Sequence, residues 1–387
     1  MFARRSSWDL RANRLALALG QRQGSGAPVL DLTVSNPTRA GVGATAEIGW
    51  ALARVVPATY LPAPLGLPEA RAAVAEYYAG RGQQVAPEQV VLTASTSEAY
   101  GYLFKLLADP GDNVLVPRPS YPLFDFLAAL EGVQVRRYPL RDTGSGWEAD
   151  VDRLAAAIDG RTRAIVLVNP NNPTGSYVGA GDRSMIERLA GECDLALIVD
   201  EVFNDYPLEP LATPPPSFGA GEAPLLTFTL SGLSKVLAAP QLKLSWLTVG
   251  GPAARQADAL ARLEVIADTY LSVATQVQLA LPALMHLRAA IQASVRRRLE
   301  GNLQVLRAAC GAHPAVRCLR VEGGWYAVLR VDQGDDEELA LRVLAETGVL
   351  VHPGYFYDFA TSGYLVVSLL APQLAAGIER LLNLLGA

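Results

Sequence analysis

The stretch RAIVLVNPNNPTGSYVGAGDRSMIERLAGECDLALIVD, residues 163–200, holds two short apolar runs separated by a rigid polar turn and a stretch of helical pattern. Both runs are apolar at consecutive positions, as expected of strands covered by helices on each side. A strand, a helix and a second strand of this kind predict a parallel pair. Working outward, the same texture recurs from about residue 69, in QVVLTA (89–94), DNVLVP (112–117), VQVRRYPL (133–140), LLTFTL (225–230) and LSWLTVGG (244–251). The seven runs predict an α/β fold: a large domain with a mostly parallel seven-stranded sheet between helices. After Gly251 the pattern turns helical to about Ala309, with a break or kink expected at Pro282. The runs RCLRVEGGWYAVLRV, EELALRVLAETG, VLVHPG and YLVVSLL then predict a smaller α+β domain completed by the N-terminal segment. The expected division is 42–285 for the large domain, with 1–41 and 286–387 forming the small one. Pro214 to Pro216 read as a loop.

Composition narrows the function. Half of the 387 residues are apolar, enough for a substantial core, yet charged residues interrupt every run approaching the ~20 apolar residues of a membrane helix. The first twenty residues mix arginines with apolar positions in a spacing that fits an amphipathic helix better than a targeting peptide. The net charge is −5, and the one basic cluster, residues 296–298, reads as a solvated helix face, so no nucleic-acid partner is expected. Three scattered cysteines and three scattered histidines suggest neither disulfides nor a metal site, and a cytoplasmic location is expected. No phosphate-binding glycine motif follows a strand; Gly41 and Gly43 lack a third glycine.

In open α/β sheets ligands bind beyond the carboxyl ends of the strands. QVVLTA is followed by Ser95, Thr96 and Ser97 at the start of a helix, where free N–H groups attract an anion; a plain N-cap with Glu98 explains the same residues. DNVLVP leads to Tyr121, an aromatic ring that either packs in the loop or stacks on a flat ligand. RAIVLVNP runs into Asn172 in a rigid turn, and LALIVD ends in Asp200, a carboxylate that is costly to bury without a partner. LLTFTL ends in Ser231 to Lys235. The chain has 33 basic residues, of which only Lys105, Lys235 and Lys243 are lysines. Where arginine serves every purpose that needs only charge, a lysine at a buried strand end points to amine chemistry, because a guanidinium does not form a Schiff base. Lys105 reads as a surface residue. A helix N-terminus, an aromatic, an asparagine, a carboxylate and a lysine in this order suggest pyridoxal 5'-phosphate.

On these residues the chain resembles the class I/II aminotransferases, pyridoxal-phosphate enzymes, over nearly its whole length. The motifs carrying the likeness are the NPxNPTG turn, the apolar strand ending in Asp-Glu and the SxSK-like segment. The resemblance implies that Lys235 bonds the cofactor aldehyde, Asp200 faces the pyridine nitrogen, Asn172 the ring oxygen and Tyr121 the ring. Ser95, Thr96 and Lys243 fall at the phosphate, and Ser234, beside Lys235, is a further cofactor contact. Tyr60, in YLPAPLGLPEAR (60–71), matches a tyrosine reaching the neighbouring subunit's phosphate, which implies a homodimer with shared active sites. The implied reaction moves an amino group between an amino acid and a keto acid. The alternatives are another pyridoxal-phosphate reaction (β-lyase, decarboxylase or cyclase) and a non-catalytic binding protein.

Three positions depart from the family pattern. Phe203 stands where a tyrosine helps hold the ring oxygen, Lys243 where an arginine meets the phosphate, and Val366 where an arginine clamps the substrate carboxylate. Asn36 and Arg39, in VSNPTR, are therefore the candidate substrate contacts, with a simple turn as the alternative. His352, in HPGYF, reads as structural.

Overall fold

The computed structural model describes residues 1–56, 59–209, 217–219, 223–331 and 334–386. Pro214 to Pro216 lie outside them. The described residues form a two-stranded pair, an eight-stranded sheet and a four-stranded sheet. In chain order, strand β1 is Leu30–Asp31, β2 Val90–Thr93, β3 Asn113–Arg118, β4 Gln134–Asp142, β5 Trp147–Ala149, β6 Thr162–Val168, β7 Ala196–Asp200, β8 Thr227–Gly232 and β9 Ser245–Gly250. There follow β10 Val316–Cys318, β11 Tyr326–Val331, β12 Val349–Leu350, β13 His352–Pro353 and β14 Tyr364–Ser368.

The large sheet has the order β2-β9-β8-β7-β6-β3-β4-β5. Strands β4, β3, β6, β7 and β8 are parallel, whereas β9 runs antiparallel to both β8 and β2, and β5 antiparallel to β4. The seven expected strands are present, and β5 adds an eighth at the edge. Continuous apolar runs divide between two cores, as covering on both faces requires. Ala164, Val166 and Ile198 pack with Tyr100, Phe104 and Leu263 on one face, and Ile165, Leu167, Leu197 and Val199 with Leu154 and Ile186 on the other.

The order reverses between β6 and β3. β3 passes through helix Phe124–Leu130 to β4 on one side, while β6 passes through helix Ala180–Glu192 to β7 on the other. The crevice beyond these two strands is the switch point at which open α/β sheets bind ligands.

The four-stranded sheet, β10-β11-β14-β13, is antiparallel. β1 pairs in parallel with β12, so the N-terminal segment joins the C-terminal part of the chain. Its helix, Arg14–Gly24, begins later than the sequence pattern suggested because the Asn13 side chain caps it by accepting a bond from the Ala16 N–H. Helix Thr275–His286 continues through Pro282. No helix among the described residues is long and apolar enough to cross a membrane. No group of three or more His, Cys, Asp or Glu among them is placed to hold a metal.

Candidate active site

A cavity of ≈ 320 Å³ opens beyond the carboxyl ends of β2, β3, β6, β7 and β8. Ser95, Thr96, Tyr121, Asn172, Asp200, Ser234 and Lys235 all line it.

The asparagine turn after β6 is fixed by its own hydrogen bonds. The Gly175 N–H donates to the Asn171 carbonyl at 2.8 Å, and the Asn171 side chain donates to the Pro119 carbonyl at 3.2 Å and to Thr174 Oγ1 at 2.9 Å. Gly175 has φ +70°, and a Cβ there would lie 2.6 Å from the Gly323 carbonyl oxygen, so the turn closes only with glycine. The Gly175 carbonyl accepts from the N–H groups of Glu322 and Gly323, which ties this turn to the segment carrying Trp325 and Tyr326. Asn172, held in the turn, is buried, and its Oδ1 has no partner in the protein.

Asp200 ends β7 in a buried position. Its carboxylate accepts from the Tyr100 hydroxyl at 3.2 Å and from the Val202 N–H at 3.1 Å. Burial pushes its pKa up to about 6, opposed by these two hydrogen bonds and by the charge of Lys235. Burial likewise pulls the Lys235 amine down to about 8, against the pull of Asp200. The Lys235 Nζ lies 4.5 Å from the ring centre of Trp325 and 5.1 Å from that of Phe203. The Tyr206 hydroxyl donates to the Lys235 carbonyl at 2.5 Å, and Trp325 packs edge-on against Tyr206. An aromatic shell thus holds the lysine from below. Among the described residues lining the cavity, Lys235 is the one lysine or arginine.

Both readings of the serine turn hold at once. Ser95 caps helix Thr96–Leu107, its side chain accepting from the Glu98 N–H at 3.1 Å, while the Glu98 carboxylate accepts from the Ala94 N–H. Ser95, Thr96 and Ser97 also face the cavity, where the helix N-terminus favours an anion.

Four sequence candidates lie outside the cavity lining. Tyr60 is 65% exposed on the surface. Lys243 is exposed and left-handed, with φ +49°. Asn36 spends its side-chain oxygen on Thr38, accepting from its N–H and hydroxyl, and Arg39 is exposed. Their neighbour Ser35 lines the cavity instead, together with Tyr326, whose phenol burial pushes up to about 12, with a hydrogen bond to Ser35 acting the other way. Val366 is fully buried beside Trp147, Leu319, Val328, Tyr357 and Phe359 and is not among the residues lining the cavity. His352 shares a hydrogen bond with the Tyr357 hydroxyl at 3.1 Å, and burial pulls its pKa down to about 4.

Sequence reasoning missed Tyr100 as the partner of Asp200. The available signal was its place one turn inside a helix that starts at the sheet edge. It also missed Ser35; the segment EGGWY, 322–326, resembles a site-flanking segment of the family, but that likeness gave Trp325 and Tyr326 no role of their own.

The sequence profile of the family "aminotransferase class I and II" matches residues 30–383. The chain belongs to this family. It is therefore a transferase enzyme with an aminotransferase fold. An alanine aminotransferase of Mycobacterium tuberculosis is 30% identical over 312 residues, covering 77% of this chain and 71% of the relative. The glutamate–pyruvate aminotransferase of Escherichia coli is 28% identical over 352 residues, 86% of this chain and 84% of that protein. Among solved structures, an alanine aminotransferase from Pyrococcus furiosus superposes with a TM-score of 0.88 at 25% identity, covering 97% of this chain and 99% of the other. The family uses pyridoxal phosphate.

Proposed function

We propose that this aminotransferase carries pyridoxal 5'-phosphate in the cavity at the strand ends and moves an amino group between an amino acid and a keto acid. The observation that carries the reading is buried Asp200 and half-buried Lys235 together with Asn172 on the wall of one cavity of ≈ 320 Å³. That volume lies within the ~300–1,000 Å³ range of small-ligand pockets. The donor set fits the cofactor: an amine for the aldehyde, a carboxylate for the pyridine nitrogen, an amide for the ring oxygen, Tyr121 for the ring face, and Ser95, Thr96 and Ser234 for the phosphate.

When bound, the cofactor supplies an aldehyde that bonds amines and a ring that accepts electrons from the donor Cα. Lys235 would hold that aldehyde, and its Nζ would serve as the base for the proton on the donor Cα; in the cofactor-free protein burial already lowers this amine to about 8, toward the neutral form that a base needs. Asp200, kept in place by Tyr100 and the Val202 N–H, stabilises positive charge on the ring nitrogen. Phe203 has no hydroxyl to offer the ring oxygen, so Asn172 serves it alone. On the substrate side Ser35 and Tyr326 form the polar wall, Asn36 fixes the turn that carries Ser35, and Arg39 lies on the same segment at the rim.

The reading extends to the assembly. Tyr60, exposed on one subunit, would reach the phosphate of a neighbour in a homodimer with shared active sites, and Lys243 would supply charge near that phosphate. The proposed division is a large domain over 42–285 and a small one from 1–41 and 286–387, in a cytoplasmic protein.

Apolar burial of Val366 outside the cavity lining supports a second reading, another pyridoxal-phosphate reaction on an amino acid, because the usual carboxylate clamp has no counterpart at that position. One experiment separates the two. Mixing the cofactor-loaded protein with single amino donors gives stoichiometric keto acid and the pyridoxamine form of the cofactor if it transaminates. Release of ammonia or carbon dioxide without that conversion contradicts transamination.

A further inference from the structure

Strand β9 runs antiparallel between β2 and β8, so its first residue lies level with the last residues of both neighbours. Ser245 pairs with Thr93 on one side and with Gly232 on the other. Thr93 leads into Ser95 and the N-terminus of helix Thr96–Leu107; Gly232 leads into Ser234 and Lys235. Ser245 thus stands between the two hydroxyl-bearing turns, 2% exposed and on the cavity wall.

Gly232 has φ 178° and ψ 165°, an extended backbone open to any residue. Space, not conformation, demands glycine there. A Cβ at position 232 would fall 2.2 Å from Ser245 Oγ and 2.8 Å from Ser245 Cβ. The Ser245 hydroxyl therefore fills the volume that a side chain at 232 would take. Ser231, one position earlier, does not supply that hydroxyl to the cavity: its Oγ is buried, without a partner and outside the lining.

Resting on the cofactor reading above, we propose that Ser245 donates a hydrogen bond to the cofactor phosphate, and that Gly232 and Ser245 form an exchangeable pair in which one strand or the other, but not both, delivers this hydroxyl. An O–H donor to a phosphate oxygen is charge-assisted, and the neighbouring helix N-terminus favours the same anion.

The test measures dissociation constants of pyridoxal phosphate and of pyridoxal, which lacks the phosphate, for the wild type and for Ser245→Ala, Gly232→Ser and the double variant Gly232→Ser/Ser245→Gly. Ser245→Ala is expected to weaken pyridoxal phosphate binding roughly tenfold to a hundredfold while leaving pyridoxal binding unchanged. Gly232→Ser is expected to bind worse than wild type, and the double variant to recover to within a few-fold of it. An unchanged ratio of the two affinities in Ser245→Ala overturns the phosphate contact. A double variant no better than Gly232→Ser overturns the exchange. A wild-type chain that binds neither compound overturns the cofactor reading itself, which separates the two failures.

Discussion

At the strand ends of the large sheet, Asp200, Asn172, Ser234 and Lys235 are set by ladder register and short hydrogen-bonded turns, whereas on the small-sheet side Val366 packs into an apolar cluster beside Trp147 and Phe359. The first region concentrates charge and hydrogen-bonding groups against burial that perturbs them: a carboxyl raised to about 6 and an amine lowered to about 8. The second spends its interior on packing, and from its side Tyr326, with Ser35 of the N-terminal segment, lines the cavity. On the proposed reading, cofactor chemistry and substrate recognition would be carried by separate elements, so each can depart from the family pattern on its own: Phe203 and Lys243 on the one side, Val366 on the other.

Four changes break or sharpen this contrast. The largest effect is expected for Lys235→Ala, which removes both the covalent anchor and the base; turnover should fall by at least about 10³-fold in steady-state assays. Retained turnover would mean that Lys235 is not the reacting amine. Asp200→Asn keeps the shape and removes the charge, and kcat should fall by about 10²- to 10³-fold with little change in fold. Val366→Arg places an unpaired cation among apolar side chains, and urea unfolding should show a loss of about 3 kcal/mol. Should that variant instead fold normally and bind amino acids more tightly, the second wall is less sealed than its packing indicates.

The smallest effect is on the pH dependence of the cofactor-free protein. The folded pKa of Asp200 is raised from 3.8 to about 6, so its folded state holds a proton that the unfolded chain has lost between those values, and stability should fall as pH rises through that window. The folded pKa of Lys235 is lowered from 10.5 to about 8, so the unfolded chain binds more protons between those values and stability should rise with pH there. Denaturant titrations of Asp200→Asn should flatten the fall between about pH 4 and 6, and those of Lys235→Met the rise between about pH 8 and 10.5.

The large sheet was legible because its central strands are apolar on both faces, a pattern that few other elements share. The edge strand Trp147–Ala149 was not, since three residues with only Trp147 buried carry no periodic signal. Asn172, Asp200 and Lys235 were legible because they sit at or just beyond the carboxyl ends of parallel strands, where ligands bind. The same rule could not find Ser245, because β9 is antiparallel and presents its first residue to the site. Trp325 and Tyr326 lie some 90 residues from Lys235 in sequence, and long-range hydrogen bonds of residues 322–325 to Gly175, Tyr206, Leu208 and Leu369 bring their segment into place. The motif resemblance put Lys243, Asn36 and Arg39 at the site and Tyr60 at that of a neighbouring subunit, whereas in the single subunit none of the four lines the cavity.

The scarcity of lysine makes the central claim open to one direct measurement. Loading the chain with pyridoxal phosphate, reducing it with borohydride and mapping the peptides by mass spectrometry reports which amine held the aldehyde. The account predicts the phosphopyridoxyl group on Lys235 alone. A modification on Lys105 or Lys243 with Lys235 left free, or no modification at all, would contradict it.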